Sequence, residues 1–378
     1  MQEAEVAHFL LQVSNDPENL EFHVKKAVGS VILQLVYGYK TENFKEDPLL
    51  STVTRLMEDF ARAGVPGAHL VDTLPILRYV PSWFPGTGWK REAKRMAKNL
   101  MESVERPYAF VEHQMAQGQN RLSYLSRLIE FGKDTPEDKY IGKWSASSLY
   151  QGGSDTTLAA ILAFYLAMTL FPDVQKKAQE EIDRVVGSER LPTLDDRDSL
   201  PYLDALTKEA IRWYPIGPMG IPHANSEETT YRGYRIPKMA IVMPNIWWFT
   251  HDPAVYENPM EFRPERFMEG QDRKPEPDPR KLSFGFGRRI CPGKVLAENS
   301  MFLSFAQSLA VFDIAKKVVD GKVIEPKVEP KPGVISHPAH FETSIKPRSP
   351  HHEKLIRSLE QTFPWQESDA SVLERMET

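Results

Sequence analysis

The chain has 378 residues, of which 41% are hydrophobic and 26% charged, so it can bury a sizeable core. Its 47 Lys and Arg against 52 Asp and Glu give a net charge of −5, and the positive charges form no basic face, which argues against a nucleic-acid partner. A single cysteine excludes an internal disulfide and any metal site that needs two thiolates. The N-terminus lacks the pattern of a signal peptide, and the longest apolar run, residues 158–171, is too short to span a bilayer.

The first half of the chain has apolar residues at helical spacing. The predicted helices cover residues 2–13, 20–36, 48–63, 88–118, 121–131, 142–170 and 172–186. Between residues 65 and 88, four prolines predict an irregular connection. Its many apolar residues indicate either a packed loop, which we favour, or a surface for an apolar partner.

The pattern changes after Pro201. A short helix is predicted to end at Trp213, and short β-like pieces follow over residues 215–243. Residues 258–280 are rich in proline and charge, which predicts an extended segment. A long helix is predicted after Pro292, a hairpin over 333–347 and a polar, frayed tail over 350–378. The sum is a mainly α fold with a small β part.

The cysteine lies in the segment SFGFGRRICPG, residues 283–293, directly before a predicted helix. Two glycines within three residues allow a tight turn, and a proline after the cysteine suits the first turn of a helix. At such a helix N-terminus, free amides, the helix dipole and nearby Arg289 favour a thiolate at Cys291. A lone thiolate can serve as a nucleophile or a metal ligand, and the alternative is a small buried apolar cysteine.

This segment matches the pattern F-x-x-G-x-R-x-C-x-G in full, and on it the chain resembles the cytochrome P-450 family of heme-thiolate monooxygenases. The resemblance implies the family's fold and a heme b cofactor, an iron protoporphyrin, with Cys291 as the axial ligand of the iron. It also implies that Arg289 faces a heme propionate and that Phe284 packs near the sulfur. Gly287 and Gly293 complete the cofactor-binding motif.

Glu209 and Arg212 lie three residues apart on one face of a predicted helix. Such a pair alone is most often a solvated salt bridge. In the family the pair joins an arginine of a P-E-R-F segment, which FRPERF at residues 262–267 resembles. The resemblance therefore implies a structural role for Glu209, Arg212 and Arg266, which lock the core behind the cysteine loop.

The sequence GGSDTT at residues 152–157 interrupts an apolar helical pattern. It predicts either a local opening of the helix or a loop with an N-cap at Asp155. It also matches the family pattern A/G-G-x-D/E-T-T, which implies that Asp155 and Thr156 are catalytic and supply protons for dioxygen cleavage. His223 is similar to a basic family residue that meets a propionate, although a lone histidine is more often a satisfied turn or surface residue.

The likeness covers residues 1–347, which we predict to be one family domain, with a polar tail over 348–378. The chain resembles fungal membrane-bound members, but an apolar anchor, a β-rich segment and a W-x-x-x-R helix are not found before Gly152, so we expect an N-terminally truncated domain. Members of this type lie on the cytoplasmic face of the endoplasmic reticulum. Because this chain shows no anchor, we expect it to be cytoplasmic or peripheral to the membrane.

The resemblance implies insertion of one atom of dioxygen into an apolar organic substrate, in secondary metabolism or detoxification. It implies NADPH-cytochrome P-450 reductase as electron donor, and we expect a monomer. The alternative is a truncated, non-catalytic heme- or ligand-binding remnant. A cysteine hydrolase is a third interpretation, but the residues beside Cys291 offer no histidine base.

Overall fold

The computed structural model describes residues 1–65, 67–270 and 274–377. The chain divides into two compact units: Met1–Leu158 with Glu353–Thr378 form unit 1, and Ala159–His352 form unit 2. The mainly α architecture with a small β part is confirmed. Parts of the predicted connection, extended segment and tail fall on Pro66, residues 271–273 and Thr378, which lie outside the described residues.

Unit 1 is helical, and the helices predicted for the first half of the chain are confirmed with small shifts at their ends. They are α1 (Gln2–Asn15), α2 (Leu20–Tyr37), α3 (Pro48–Ala63), α5 (Gly88–Ala116), α6 (Tyr124–Phe131) and α7 (Pro136–Leu170), which continues into unit 2. A short helix that the sequence pattern does not predict, α4 (Leu70–Thr73), lies between α3 and α5. Helix α7 begins six residues before the predicted start at residue 142. Its start is fixed by mutual hydrogen bonds between Thr135 and Asp138.

The connection between α3 and α5 contains α4 and a 3₁₀ turn, Pro75–Tyr79. The favoured interpretation of this segment as a packed loop is wrong. Large apolar side chains along it are exposed: Leu70, Leu74, Ile76, Tyr79, Trp83 and Phe84, the tryptophan to 80%. The segment is an apolar surface rather than part of the core.

Helix α7 runs without a break through residues 152–157, so the prediction of a loop capped at Asp155 is wrong. Packing explains the glycine at 153, because a Cβ there would lie 2.6 Å from Cδ1 of Ile32 on α2. By length and composition α7 could cross a membrane, but 72% of its most apolar window is buried, as in a core helix.

Unit 2 holds the helices between α7 and Phe312. They are α8 (Pro172–Val185), α9 (Pro201–Trp213), α10 (Ile246–His251), α11 (Arg280–Ser283) and α12 (Lys294–Val311). The predicted helices that end at Trp213 and follow Pro292 are confirmed. Helix α9 packs against α8, α10 and α12, and Phe164 at the end of α7 stacks on Phe305 of α12 with ring centroids 4.0 Å apart.

The β part consists of short antiparallel pairs in unit 2. The pairs are β1 (His223–Ala224) with β4 (Ile241–Val242), β2 (Thr229–Tyr231) with β3 (Tyr234–Ile236), β5 (Phe312–Lys316) with β8 (Thr343–Pro347), and β6 (Val318–Val319) with β7 (Lys322–Val323). The predicted hairpin over 333–347 is wrong, because β8 pairs with β5. That pairing sets Ile345 opposite Ile314 and buries both side chains.

The described residues after β8, 348–377, are ordered, which contradicts the prediction of a frayed tail. They form α13 (Pro350–Thr362) and α14 (Ala370–Glu377). In unit 1, the Asp369 carboxylate accepts hydrogen bonds from the Lys40 amide, at 2.8 Å, and from Arg121. The ring of Trp365 stacks on His8 of α1 at 3.9 Å. Long-range contacts therefore hold this segment.

Candidate functional site

The cysteine loop links α11 to α12 through a 3₁₀ turn, Gly287–Arg289. Gly285 and Gly287 have φ of +80° and +55°, a left-handed backbone that favours glycine. The turn lets the Cys291 amide donate a 2.8 Å hydrogen bond to the Phe284 carbonyl. The loop therefore holds Cys291 two residues before Gly293, the N-cap of α12.

The side chain of Cys291 is exposed, so the alternative of a buried apolar cysteine is wrong. Phe286 and Ile290 on the same loop are 46% and 47% exposed. Arg288 and Arg289 are also exposed, and no hydrogen bond or ion pair joins their side chains to any other residue that the structure describes. Phe284 is half-buried, with Nζ of Lys294 5.6 Å from its ring centroid.

These groups fit a flat, apolar, anionic cofactor that carries a metal. The exposed sulfur of Cys291 is the ligand type that binds iron in heme-thiolate proteins. Exposed Phe286 and Ile290 offer apolar contact to a macrocycle, and exposed guanidinium groups bind carboxylates in a bidentate manner. Gly287 has no side chain, and a Cβ built at this position would meet nothing within 4 Å, so a cofactor can approach the loop backbone closely.

A buried charge network lies on α9 and the segment after α10. The side chains of Glu209, Arg212 and Arg266 are all completely buried. Arg212 donates to both oxygens of the Glu209 carboxylate, at 2.7 and 2.9 Å, and Nε of Arg266 donates to the same carboxylate at 3.1 Å. The structure thus brings the three residues together.

Glu276 is a fourth member of the network, although it belongs to none of the motifs described above. Its carboxylate accepts from Nη1 of Arg266 at 2.7 Å. Burial lowers the pKa of Arg266, but the charges of Glu209 and Glu276 outweigh this and raise it. Arg212 and Arg266 carry two buried positive charges, and Glu209 compensates only one of them. This imbalance predicts a second acidic residue nearby.

Backbone carbonyls complete the network. Arg212 donates to the carbonyls of Thr250 and Pro259, at 3.0 and 2.7 Å, and the Arg263 amide donates to Glu209 at 2.7 Å. His251 lies beside these groups, its ring stacked on Trp247 at 4.7 Å. Burial, and then the charge of Arg212, lower the pKa of His251 to about 4. The network therefore ties α9 to a segment with little regular structure.

The remaining predicted site residues lie elsewhere in the chain. Asp155 and Thr156 are half-buried on α7 in unit 1, whereas the cysteine loop belongs to unit 2. The Thr156 hydroxyl donates to the Gly152 carbonyl at 2.8 Å. His223 is exposed on β1, where its backbone pairs with Val242.

Comparisons with known proteins give consistent matches. A family model described as Cytochrome P450 matches residues 3–345. Cytochrome P450 monooxygenase 208 of Postia placenta is 50% identical over 360 residues, covering 95% of this chain and 70% of that protein. Cytochrome P450 monooxygenase claR of Ampulloclitocybe clavipes is 48% identical, over 94% of this chain and 66% of its own. O-methylsterigmatocystin oxidoreductase of Aspergillus flavus is 42% identical, over 98% and 70%.

Proposed function

The chain belongs to the cytochrome P450 family, and we propose that it is a heme-thiolate monooxygenase that inserts one oxygen atom of dioxygen into an apolar organic substrate. The family implies a heme cofactor, a redox partner, dioxygen and a substrate. The observation that carries the proposal is the exposed sulfur of Cys291 on a tight loop among exposed apolar and cationic side chains. The name of one relative, O-methylsterigmatocystin oxidoreductase, supports a role in secondary metabolism.

We assign the heme to the cysteine loop. Cys291 would ligate the iron, and Arg289 would pair with a propionate, for which His223 is a second candidate. Phe284 would pack near the sulfur. The glycines of the motif, Gly287 and Gly293, would allow the loop to lie close to the cofactor. When bound, the heme supplies dioxygen activation, and a thiolate ligand favours O–O cleavage.

We assign proton supply to Asp155 and Thr156. Asp155 is half-buried and directly precedes Thr156 on α7, so it lies between solvent and that hydroxyl in the proposed path. The Thr156 hydroxyl donates a hydrogen bond to the Gly152 carbonyl, so in this orientation Oγ1 can accept a hydrogen bond from a bound group. To pass a proton on, the hydroxyl would turn away from the carbonyl, give its proton to the acceptor and receive another proton at Oγ1.

The remaining proposals concern the redox partner, the oligomeric state, the location in the cell and the bounds of the family domain. We propose that NADPH-cytochrome P-450 reductase delivers the electrons and that the chain acts as a monomer at the cytoplasmic face of the endoplasmic reticulum or in the cytoplasm. Residues 1–347 are proposed to form the family domain. The chain spans about two thirds of the length of the relatives it matches, so these assignments extend their properties to a shorter chain.

The first experiment is reconstitution with hemin, reduction and addition of carbon monoxide. We expect the red-shifted Soret band of thiolate ligation, and because the sequence has one cysteine, only Cys291 can supply it. Cys291→Ser should abolish that band. Arg289→Gln should retain heme less well than its neighbour control Arg288→Gln. A wild-type protein without the band, or a variant Cys291→Ser that keeps it, would overturn the assignment.

A second experiment separates catalysis from heme binding alone. The reconstituted protein is supplied with NADPH, reductase and a panel of apolar substrates, and product is measured by mass spectrometry. Thr156→Ala should lower product formation by about a hundredfold, whereas Thr157→Ala, one residue further on α7, should not. Heme binding without any product would favour the non-catalytic interpretation.

A further inference from the structure

Unit 1 contains a cavity of about 390 Å³ between α1, α2 and the segment that follows α13. Its volume falls within the range of small-molecule sites. Aromatic rings of Phe9, Phe363 and Trp365 form part of its wall. A second cavity of about 530 Å³ shares four wall residues with it: Gln12, Lys26, Asn43 and Trp365.

Lys26 of α2 lies on the wall common to both cavities. Its side chain is only 6% exposed, and Nζ has no hydrogen-bond acceptor among the residues that the structure describes. The nitrogen lies 5.8 Å from the ring centroid of Trp365 and 5.9 Å from that of Phe44. A buried ammonium with three donors and no acceptor is costly, because desolvation is not repaid by hydrogen bonds.

The ammonium form nevertheless prevails near neutral pH. Burial lowers the pKa of Lys26 to about 8, against the opposing effect of the carboxylates of Glu5, Asp47 and Glu42. Lys26 is therefore mostly charged at pH 7 and offers a positive charge inside an apolar, aromatic wall.

Several other polar groups on the wall already have partners. Oε1 of Glu5 accepts from Gln34 at 2.6 Å, and Nε2 of Gln12 donates to the Asn43 carbonyl at 3.1 Å. Nε2 of His8 makes a 2.9 Å hydrogen bond with the Phe363 carbonyl while its ring stacks on Trp365. These contacts hold the wall in place. Among the buried side-chain atoms of this wall that the structure describes, Nζ of Lys26 is the one without a hydrogen-bond partner.

We propose that this cavity binds a small monocarboxylate with an apolar or aromatic body, whose carboxylate accepts hydrogen bonds from Nζ of Lys26. The buried ammonium of Lys26 can neutralise one negative charge, and the Glu5 carboxylate on the same wall disfavours a second negative charge beside it. Rings such as Phe9 and Trp365 favour an apolar body over a fully hydrated ion. The site uses none of the residues assigned to heme binding or proton supply.

Isothermal titration calorimetry of the full chain tests this site with phenylacetate as the probe. We expect phenylacetate to bind, and its neutral isostere phenylacetamide to bind about ten- to a hundredfold more weakly, because it lacks the charge that pairs with Lys26. This comparison uses the wild-type protein and does not depend on the folding of any variant. Absence of phenylacetate binding at about 10 mM, or equal binding of acid and amide, would overturn the proposal.

Variants locate the site. Lys26→Met keeps the apolar stem but removes the charge, and should weaken phenylacetate binding about ten- to a hundredfold. Lys26→Arg should retain most of the affinity. Lys25→Met is the matched control, since Lys25 is adjacent in sequence but lines neither cavity, and it should bind as wild type. Equal affinity of Lys26→Met and wild type, with unchanged circular dichroism, would reject the assignment to Lys26.

Discussion

The buried network around Glu209 and the loop around Cys291 are both rich in charge. They differ in whether other residues of the chain supply partners for those charged groups. In the network, Glu209, Arg212 and Arg266 are completely buried. The two guanidinium groups donate to carboxylates and backbone carbonyls, and the Glu209 carboxylate accepts from both of them. In the loop, the sulfur and both arginines face outward. The network is complete within the protein, whereas the loop offers binding groups to something that the chain does not contain.

This difference distinguishes residues that stabilise the fold, such as Glu209, from residues that bind a cofactor, as we propose for Cys291. Removing a partner from a buried ion pair leaves an uncompensated charge, so substitutions in the network should lower the free energy of unfolding. Exposed groups contribute little to folding, so changes in the loop should alter binding and leave stability nearly intact. Stability measurements without heme can therefore test the contrast directly.

The largest effect is expected for Glu209→Gln. The change leaves two buried guanidinium groups with only Glu276 as a counter-ion, and should lower the free energy of unfolding by about 3–5 kcal/mol in urea denaturation. The matched control is Glu228→Gln, which removes the exposed partner of Arg235, 2.7 Å away on the β2–β3 pair, and should cost less than about 1 kcal/mol. Similar losses in both variants would contradict a special role for burial.

His251 gives the network a pH dependence. Its pKa is about 4 in the folded protein and about 6.5 when unfolded, so below pH 6.5 the unfolded state binds the proton more readily. Neutral His251 therefore contributes fully to stability above pH 6.5. Between pH 7 and pH 5 this contribution falls, and the free energy of unfolding should decrease by about 2 kcal/mol. Urea denaturation across this range should show a smaller loss for His251→Asn than for wild type. Parallel curves would show that His251 is not held neutral.

A smaller effect is expected for Gly287→Ala in the loop. A Cβ at this position meets nothing within 4 Å, so only the left-handed φ of +55° costs energy, about 1 kcal/mol. Gly152→Ala is the control, because its Cβ also meets open space but lies in a regular helix, where alanine should stabilise by about 0.5–1 kcal/mol. A stabilised Gly287→Ala would show that the loop does not keep this turn.

The smallest effect on stability is expected for Cys291→Ser. The side chain is exposed and similar in size to serine, so thermal unfolding without heme should change by less than about 0.5 kcal/mol. A loss comparable to that of Glu209→Gln would show that the sulfur supports the fold, and would remove the contrast between the two regions.

Much of the fold could be predicted because its signals are local. Helix α3 was placed correctly at both ends, since Asp47 caps its start, Pro48 follows and Gly64 comes directly after its end. The errors concern long-range contacts. Strand β8 pairs with β5 rather than with a neighbour, and the segment after β8 is ordered through Asp369 and its bond to Arg121. Local patterns carry no information about such partners.

The candidate site divides in the same way. The cysteine loop is contiguous, so its glycines, arginine and cysteine could be identified from spacing alone, and their roles stay predictions. Glu276 was missed because it lies in a proline-rich stretch outside any motif and reaches Arg266 through the fold. The unbroken course of α7 was also missed, because the packing of Gly153 against Ile32 outweighs the low helix propensity of paired glycines.

The discontinuity of unit 1 has a consequence for folding during synthesis. His8 meets Phe363 across 355 residues, and Trp365 covers the His8 ring. Unit 2 is one continuous stretch and can fold as it leaves the ribosome, but α1 waits for residues that are made 355 positions later. Until then the apolar face of α1 that these residues cover stays open, so the nascent chain exposes it while unit 2 is synthesised and offers it to chaperones.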